Sequence, residues 1–246
     1  MLALSAVAGA LLAVGVPSVL SVSAPLSDSR PAASRAATTQ RRSSQTPASG
    51  TADRTAFTAQ DERRAGDTAY AQGDLAEATA RYQQSVTAAP DDAQSRNNLA
   101  QVLARQGRPA EALAELDAAI EREPNQWSYR FNRARVYGLL ARWPEAVAEY
   151  RVATRLFPDD YATHYNLGLT LLKLGQHAEA AVAIERAVAL GPDQHDFLIT
   201  LGTAYVGAGQ AQQARTTFER FLTNAPSAPD AARIRAMLAS MDAVSQ

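Results

Sequence analysis

The chain has 246 residues, a formal net charge of −1, 46% apolar residues and no cysteine. This length allows one or two domains with a packed core, and the missing cysteine excludes disulfides, thiolate metal sites, a thiol nucleophile and a lipidated cysteine within it. A charge near zero argues against a general polyanion binder, although the basic residues are 23 Arg with one Lys, Lys173.

Residues 2–22, LALSAVAGALLAVGVPSVLSV, carry no charge. Two readings stand side by side. Pro17 and the small residues SVSA at 21–24 suit the end of a signal peptide, although no Lys or Arg precedes the apolar core. The run is also near the ~20 residues needed to span a bilayer. As a span it is weakened by Gly, Pro and Ser, and Arg30, Arg35, Arg41 and Arg42 follow it rather than precede it. Residues 1–24 are therefore expected to export or anchor the chain, which predicts an exported, extracytoplasmic or membrane-anchored protein. Residues 25–56 are rich in Ser, Ala, Thr, Pro and Arg and poor in large apolar side chains. They bury too little surface to offset the entropy of ordering, which predicts a disordered linker.

From residue 57 the pattern changes. Prolines stand at 90, 124, 158, 192 and 226, each 34 residues after the last. Such a lattice divides the chain into units 59–92, 93–126, 127–160, 161–194 and 195–228. Position 8 of each unit is small (Gly66, Ala100, Ala134, Gly168, Gly202), and position 20 is always Ala. Position 24 is large (Tyr82, Leu116, Tyr150, Ile184, Phe218). Small columns let two helices approach, and large ones fill the space between them. Position 15 is Gly73, Gly107, Gly175 and Gly209, with Ala141 the exception. Glycine there suits a helix end in left-handed geometry. Pro109 and Pro144 fit the first turn of a second helix, and Glu77, Glu111, Glu145 and Glu179 complement its dipole. The lattice Pro ends that helix, and Asp91, Asn125, Asp159, Asp193 or Ser227 is the expected N-cap of the next one.

Each unit therefore reads as helix, turn, helix, and stacking makes a continuous core. With its 34-residue length, its small and large columns and its terminal Pro, the chain resembles the tetratricopeptide repeat family over residues 59–228. The resemblance implies an all-α, right-handed superhelical solenoid of five units spanning 57–228. Ser85 and Phe221 depart from the usual Ala. Residues 229–246 are expected to cap the open end, with Ile234, Met237, Leu238 and Met241 as the apolar stripe.

No HExxH, phosphate loop or nucleophile elbow occurs, and His164, His177 and His195 do not share a lattice position. No catalysis, cofactor, metal or small-molecule substrate is expected. The resemblance instead implies a concave groove lined by positions 2, 5, 6, 9, 12 and 13 of each first helix. Position 6 is Asn98, Asn132 and Asn166, whose amides can both donate to and accept from an extended backbone. Position 5 adds Phe131 and Tyr165, and position 9 adds Gln101, Arg135 and Leu169. The expected partner is a protein or peptide held by these residues. Two alternatives stay open for them: the amides bridge neighbouring helices, and the aromatics pack between first helices.

The family's two-carboxylate clamp for acidic C-termini is largely missing: Asp67, Ser128 and Asn132 stand where Asn, Lys and Arg are needed. Nucleic acid is not expected, because acidic residues are dispersed among the basic ones. The runner-up function is a cell-envelope assembly or secretion factor that uses its convex face or cap helix.

Overall fold

The computed structural model describes residues 50–244, and among these it is entirely helical. The expected signal or anchor and most of the expected linker, up to residue 49, lie outside the described residues. Five helical hairpins follow one another: α1 (Gly50–Ala71) with α2 (Leu75–Ala88), α3 (Ala93–Arg105) with α4 (Pro109–Arg122), α5 (Trp127–Leu139) with α6 (Trp143–Leu156), α7 (Tyr161–Lys173) with α8 (His177–Leu190), and α9 (Asp196–Gly207) with α10 (Ala211–Asn224). A last helix, α11 (Ala231–Val244), packs on α10. Helix α1 begins upstream of the lattice start at Ala59, so the final residues of the expected linker, 50–56, are helical. No helix among the described residues is long and apolar enough to cross a membrane.

The lattice residues act where the spacing places them. Each second helix stops two residues before its proline: at Ala88, Arg122, Leu156, Leu190 and Asn224. Gly73, Gly107, Gly175 and Gly209 have φ between 71° and 81°, and Ala141 adopts the same left-handed geometry at 54°. Glycine enters this region freely, whereas a Cβ costs about 1–2 kcal/mol. The small eighth column meets the large twenty-fourth inside each hairpin. A Cβ on Gly168 would lie 2.3 Å from Ile184, and one on Gly202 would lie 2.3 Å from Phe218.

The N-caps fall one residue later than the spacing suggests at Asp92, Gln126 and Asp160, and two later at His195. Asp92 Oδ1 accepts from the Gln94 amide (3.1 Å) and Asp160 Oδ2 from that of Thr163 (2.7 Å). The expected caps Asp91 and Asp159 are exposed and instead pair with Arg122 (2.7 Å) and Arg186 (2.9 Å). The Pro–Asp–Asp turn thus spends one carboxylate on the helix start and the other on the second helix of the following hairpin.

The apolar interior falls into two clusters. One runs from Ala69 through Leu99, Leu116 and Ile120 to Tyr129 and Val136. The other runs from Ala134 and Tyr150 through Ile184, Phe218 and Phe221 to Ile234 and Met241 on α11. The division has a local cause at position 7. Leu99, Leu167 and Leu201 occupy that column and are buried, but hairpin 3 has Arg133 there. Its guanidinium reaches Asp117 on α4 (2.5 Å) and Glu149 on α6 (2.6 Å), which puts charge where neighbouring hairpins have a leucine.

Candidate peptide-binding groove

Cross-links between successive first helices mark the face they share. Asn98 on α3 donates from Nδ2 to Asp67 Oδ1 on α1 (3.0 Å), and the Arg105 guanidinium lies 4.8 Å from the centre of the Tyr70 ring. Asn132 on α5 donates to Asn97 Oδ1 on α3 (2.8 Å). The Tyr165 hydroxyl on α7 is 2.9 Å from Thr200 Oγ1 on α9. These contacts place Asn98, Asn132 and Tyr165 between successive first helices.

Most of the expected amide ladder is used within the protein. Asn132 is buried and bonded to Asn97. Asn98 donates to Asp67 and accepts from Gln94 Nε2 (2.7 Å). Asn166 is half-buried and donates to the Ala162 carbonyl one turn back (2.8 Å), and its Oδ1 accepts no hydrogen bond among the described residues. The bridging alternative accounts for Asn98 and Asn132, because a half-buried amide gains more from a fixed partner than from intermittent water.

The aromatic residues divide in the same way. Tyr165 is buried and stacks on Phe197 with centroids 4.0 Å apart. Burial raises the pKa of its phenol, while the bond to Thr200 opposes that shift. Leu169 is 1% exposed. Tyr165 and Leu169 are thus part of the core, a correction to the expectation that they face a ligand: Tyr165 is covered by Phe197 of the next first helix, and Leu169 is buried in the same cluster. Phe131 is half-buried between Trp127 (6.1 Å, edge-on) and Tyr150 (5.7 Å, edge-on).

What remains open to solvent is smaller and more polar. Arg135 is exposed and lies 6.0 Å from the Phe131 ring centre, and Gln101 is half-buried. Arg64 and Arg105 are exposed on α1 and α3. Asp67 accepts from the Tyr82 hydroxyl (2.8 Å) as well as from Asn98, and burial followed by that bond raises the Tyr82 pKa. Two residues were missed in the sequence: Tyr70, which supports Arg105 from position 12, and Arg133, whose break in the Leu column was visible in the alignment of units. Among the described residues no three His, Asp or Glu converge on a metal-sized site.

Tetratricopeptide repeat models match residues 63–126, 103–160 and 131–195, and a second such model matches 176–239. The chain belongs to the tetratricopeptide repeat family. Solved structures with the same fold include MamA of Desulfovibrio magneticus RS-1, at 19% identity over 70% of this chain and 97% of that one with a TM-score of 0.64. Another is PilF of Pseudomonas aeruginosa, at 18% identity over 76% of this chain and 90% of that one with a TM-score of 0.63. YrrB, described as a tetratricopeptide repeat protein with an unusual peptide-binding site, aligns at 15% identity over 71% of this chain and 90% of that one with a TM-score of 0.61. No curated protein matches the sequence. The fold is that of a protein–protein interaction scaffold, and members of the family are generally non-catalytic.

Proposed function

We propose that the chain is a non-catalytic adaptor whose five repeats hold an extended partner segment along the first helices of hairpins 1 to 3. The observation that carries this reading is the set of side chains left unused there. Gln101 and Arg135 have no hydrogen-bond partner among the described residues, and Phe131 is half-buried beside Arg135, whereas the amides of Asn98 and Asn132 are already engaged. A half-exposed aromatic beside unsatisfied polar groups is the composition of an interface anchor. Hairpins 4 and 5 are less suitable, because Tyr165 and Leu169 in the one and Thr200 in the other are closed off. Residues 2–22 would export or anchor this adaptor, since they carry no charge.

The chain has no cysteine, so one reactive position can be introduced at a time. A photo-crosslinker is attached through Gln101→Cys in the groove, and separately through Val182→Cys, which is 66% exposed on the second helix α8. In the native host, partner polypeptide is expected to crosslink from the groove position only. Crosslinking from the Val182 position with none from the groove would transfer the function to the outer face.

A further inference from the structure

Arginines on the second helices and turns are mostly neutralised: Arg81, Arg108, Arg122, Arg142, Arg151 and Arg186 each meet a carboxylate within 2.9 Å. On the groove side of hairpins 1 to 3 the pattern reverses. Arg64, Arg105 and Arg135 are exposed and form no ion pair among the described residues. Tyr70 lies beneath Arg105 at 4.8 Å and Phe131 beside Arg135 at 6.0 Å. An aromatic face steadies a guanidinium while leaving its N–H fork free to bind. The nearby carboxylate, Asp67, already accepts from Tyr82 and Asn98. A chain of net charge −1 thus sets three arginines outside any ion pair among the described residues against one carboxylate, Asp67, on one face.

We infer that this groove selects an acidic segment: an extended stretch of partner polypeptide whose Asp or Glu carboxylates pair with Arg64, Arg105 and Arg135. The inference rests on the groove reading above and specifies its partner. Carboxylate is the complement of a guanidinium fork. With the Asn98 and Asn132 amides bonded internally, charge is the handle this face still offers. These arginines do not occupy the positions of the family's two-carboxylate clamp, where Arg63 is 3.8 Å from Asp92 and the remaining positions include Asp67 and Ser128. Polypeptide fits better than nucleic acid. A phosphate backbone needs cations along its whole track, but in hairpins 4 and 5 this side carries Leu169, Leu172 and Val206, with Lys173 its one basic residue.

The test uses the full chain and three fluorescent probes: a dodecapeptide of alternating Glu and Ala, its Gln and Ala counterpart, and an oligothymidylate of matched charge. The Glu peptide is expected to bind in low salt and to weaken as salt rises. Combining Arg64→Gln, Arg105→Gln and Arg135→Gln should weaken it by about tenfold or more. The control pair Arg155→Gln and Arg220→Gln, exposed on α6 and α10 and without an ion pair among the described residues, should leave it unchanged. Unaltered circular dichroism establishes that the variants fold. Equal binding of the Glu and Gln peptides, or no binding of the Glu peptide, overturns the acidic partner while groove crosslinking still decides the adaptor reading separately. Tighter arginine-dependent binding of the oligothymidylate also overturns it, in favour of nucleic acid.

Discussion

In hairpins 1 to 3, position 4 of the first helix reaches position 23 of the second through an ion pair: Glu62 with Arg81 (3.1 Å), Arg96 with Glu115 (2.7 Å) and Arg130 with Glu149 (3.4 Å). In hairpins 4 and 5 the same columns hold His164 with Ala183 and Leu198 with Thr217. The seams between first helices differ in the same sense. Asn97 bonds to Asn132 on one side of the molecule, and Tyr165 stacks on Phe197 on the other. One backbone plan thus accepts two chemistries. The reversal of sign in the first pair shows that the column requires complementarity rather than a given residue. The polar half carries Arg64, Arg105 and Arg135, exposed and without an ion pair among the described residues, while the apolar half is buried and continues into the terminal helix. Hairpin 3 joins them, with its own ion pair and with Arg133 in the leucine column.

The apolar half can be broken by Phe218→Ala. Phe218 is fully buried against Gly202, so the cavity should cost about 3–5 kcal/mol. Urea denaturation measures the loss, and hydrogen exchange should place most of it in hairpins 4 and 5. Protection lost equally in hairpins 1 and 2 would show that the two clusters act as one.

The junction is the next largest effect. Glu149→Ala leaves Arg130 and Arg133 half-buried without their shared carboxylate. The side chains remain 13–21% exposed, so the loss is smaller than for a fully buried pair, about 1–3 kcal/mol. Arg133→Leu restores the column and joins the apolar clusters. It should be less destabilising than Glu149→Ala and should sharpen urea unfolding toward a single transition. A Leu variant that unfolds earlier than the Ala variant would mean that the bridge to Asp117 and Glu149 outweighs the continuity of the core.

The smallest change strengthens the joint. Ala141 has the left-handed geometry that glycine supplies in the other four turns. Ala141→Gly relieves that strain against a loss of backbone entropy, leaving a net gain of about 0.5–1 kcal/mol. A thermal midpoint that fails to rise would place the strain elsewhere in the turn.

The helical hairpins, their lengths and their turns were legible because each rests on a nearest-neighbour rule: a proline that ends a helix, a glycine with positive φ, a small residue opposite a large one. At the second hairpin the cap moved by one residue because two adjacent carboxylates, Asp91 and Asp92, satisfy the same composition rule; Arg122 on α4 holds Asp91, while Ser95 and Arg63 hold Asp92. The groove was less legible. Asn132 and Tyr165 turn inward because their partners, Asn97 for the first and Phe197 and Thr200 for the second, belong to neighbouring hairpins, and Leu169 is buried as well.

By itself the sequence determined the period, the all-helical architecture and the side of each hairpin that faces its neighbours, because these follow from steric rules acting within one repeat length. Which of the facing side chains stay free was decided by tertiary structure. An amide or a ring is used up by the residue that packs across from it, about one repeat away, and composition does not record that choice. Of the three arginines, Arg105 meets the Tyr70 ring of the neighbouring first helix and Arg135 the Phe131 ring of its own, while Asp67, the carboxylate nearby, is bonded to Tyr82 and Asn98 instead.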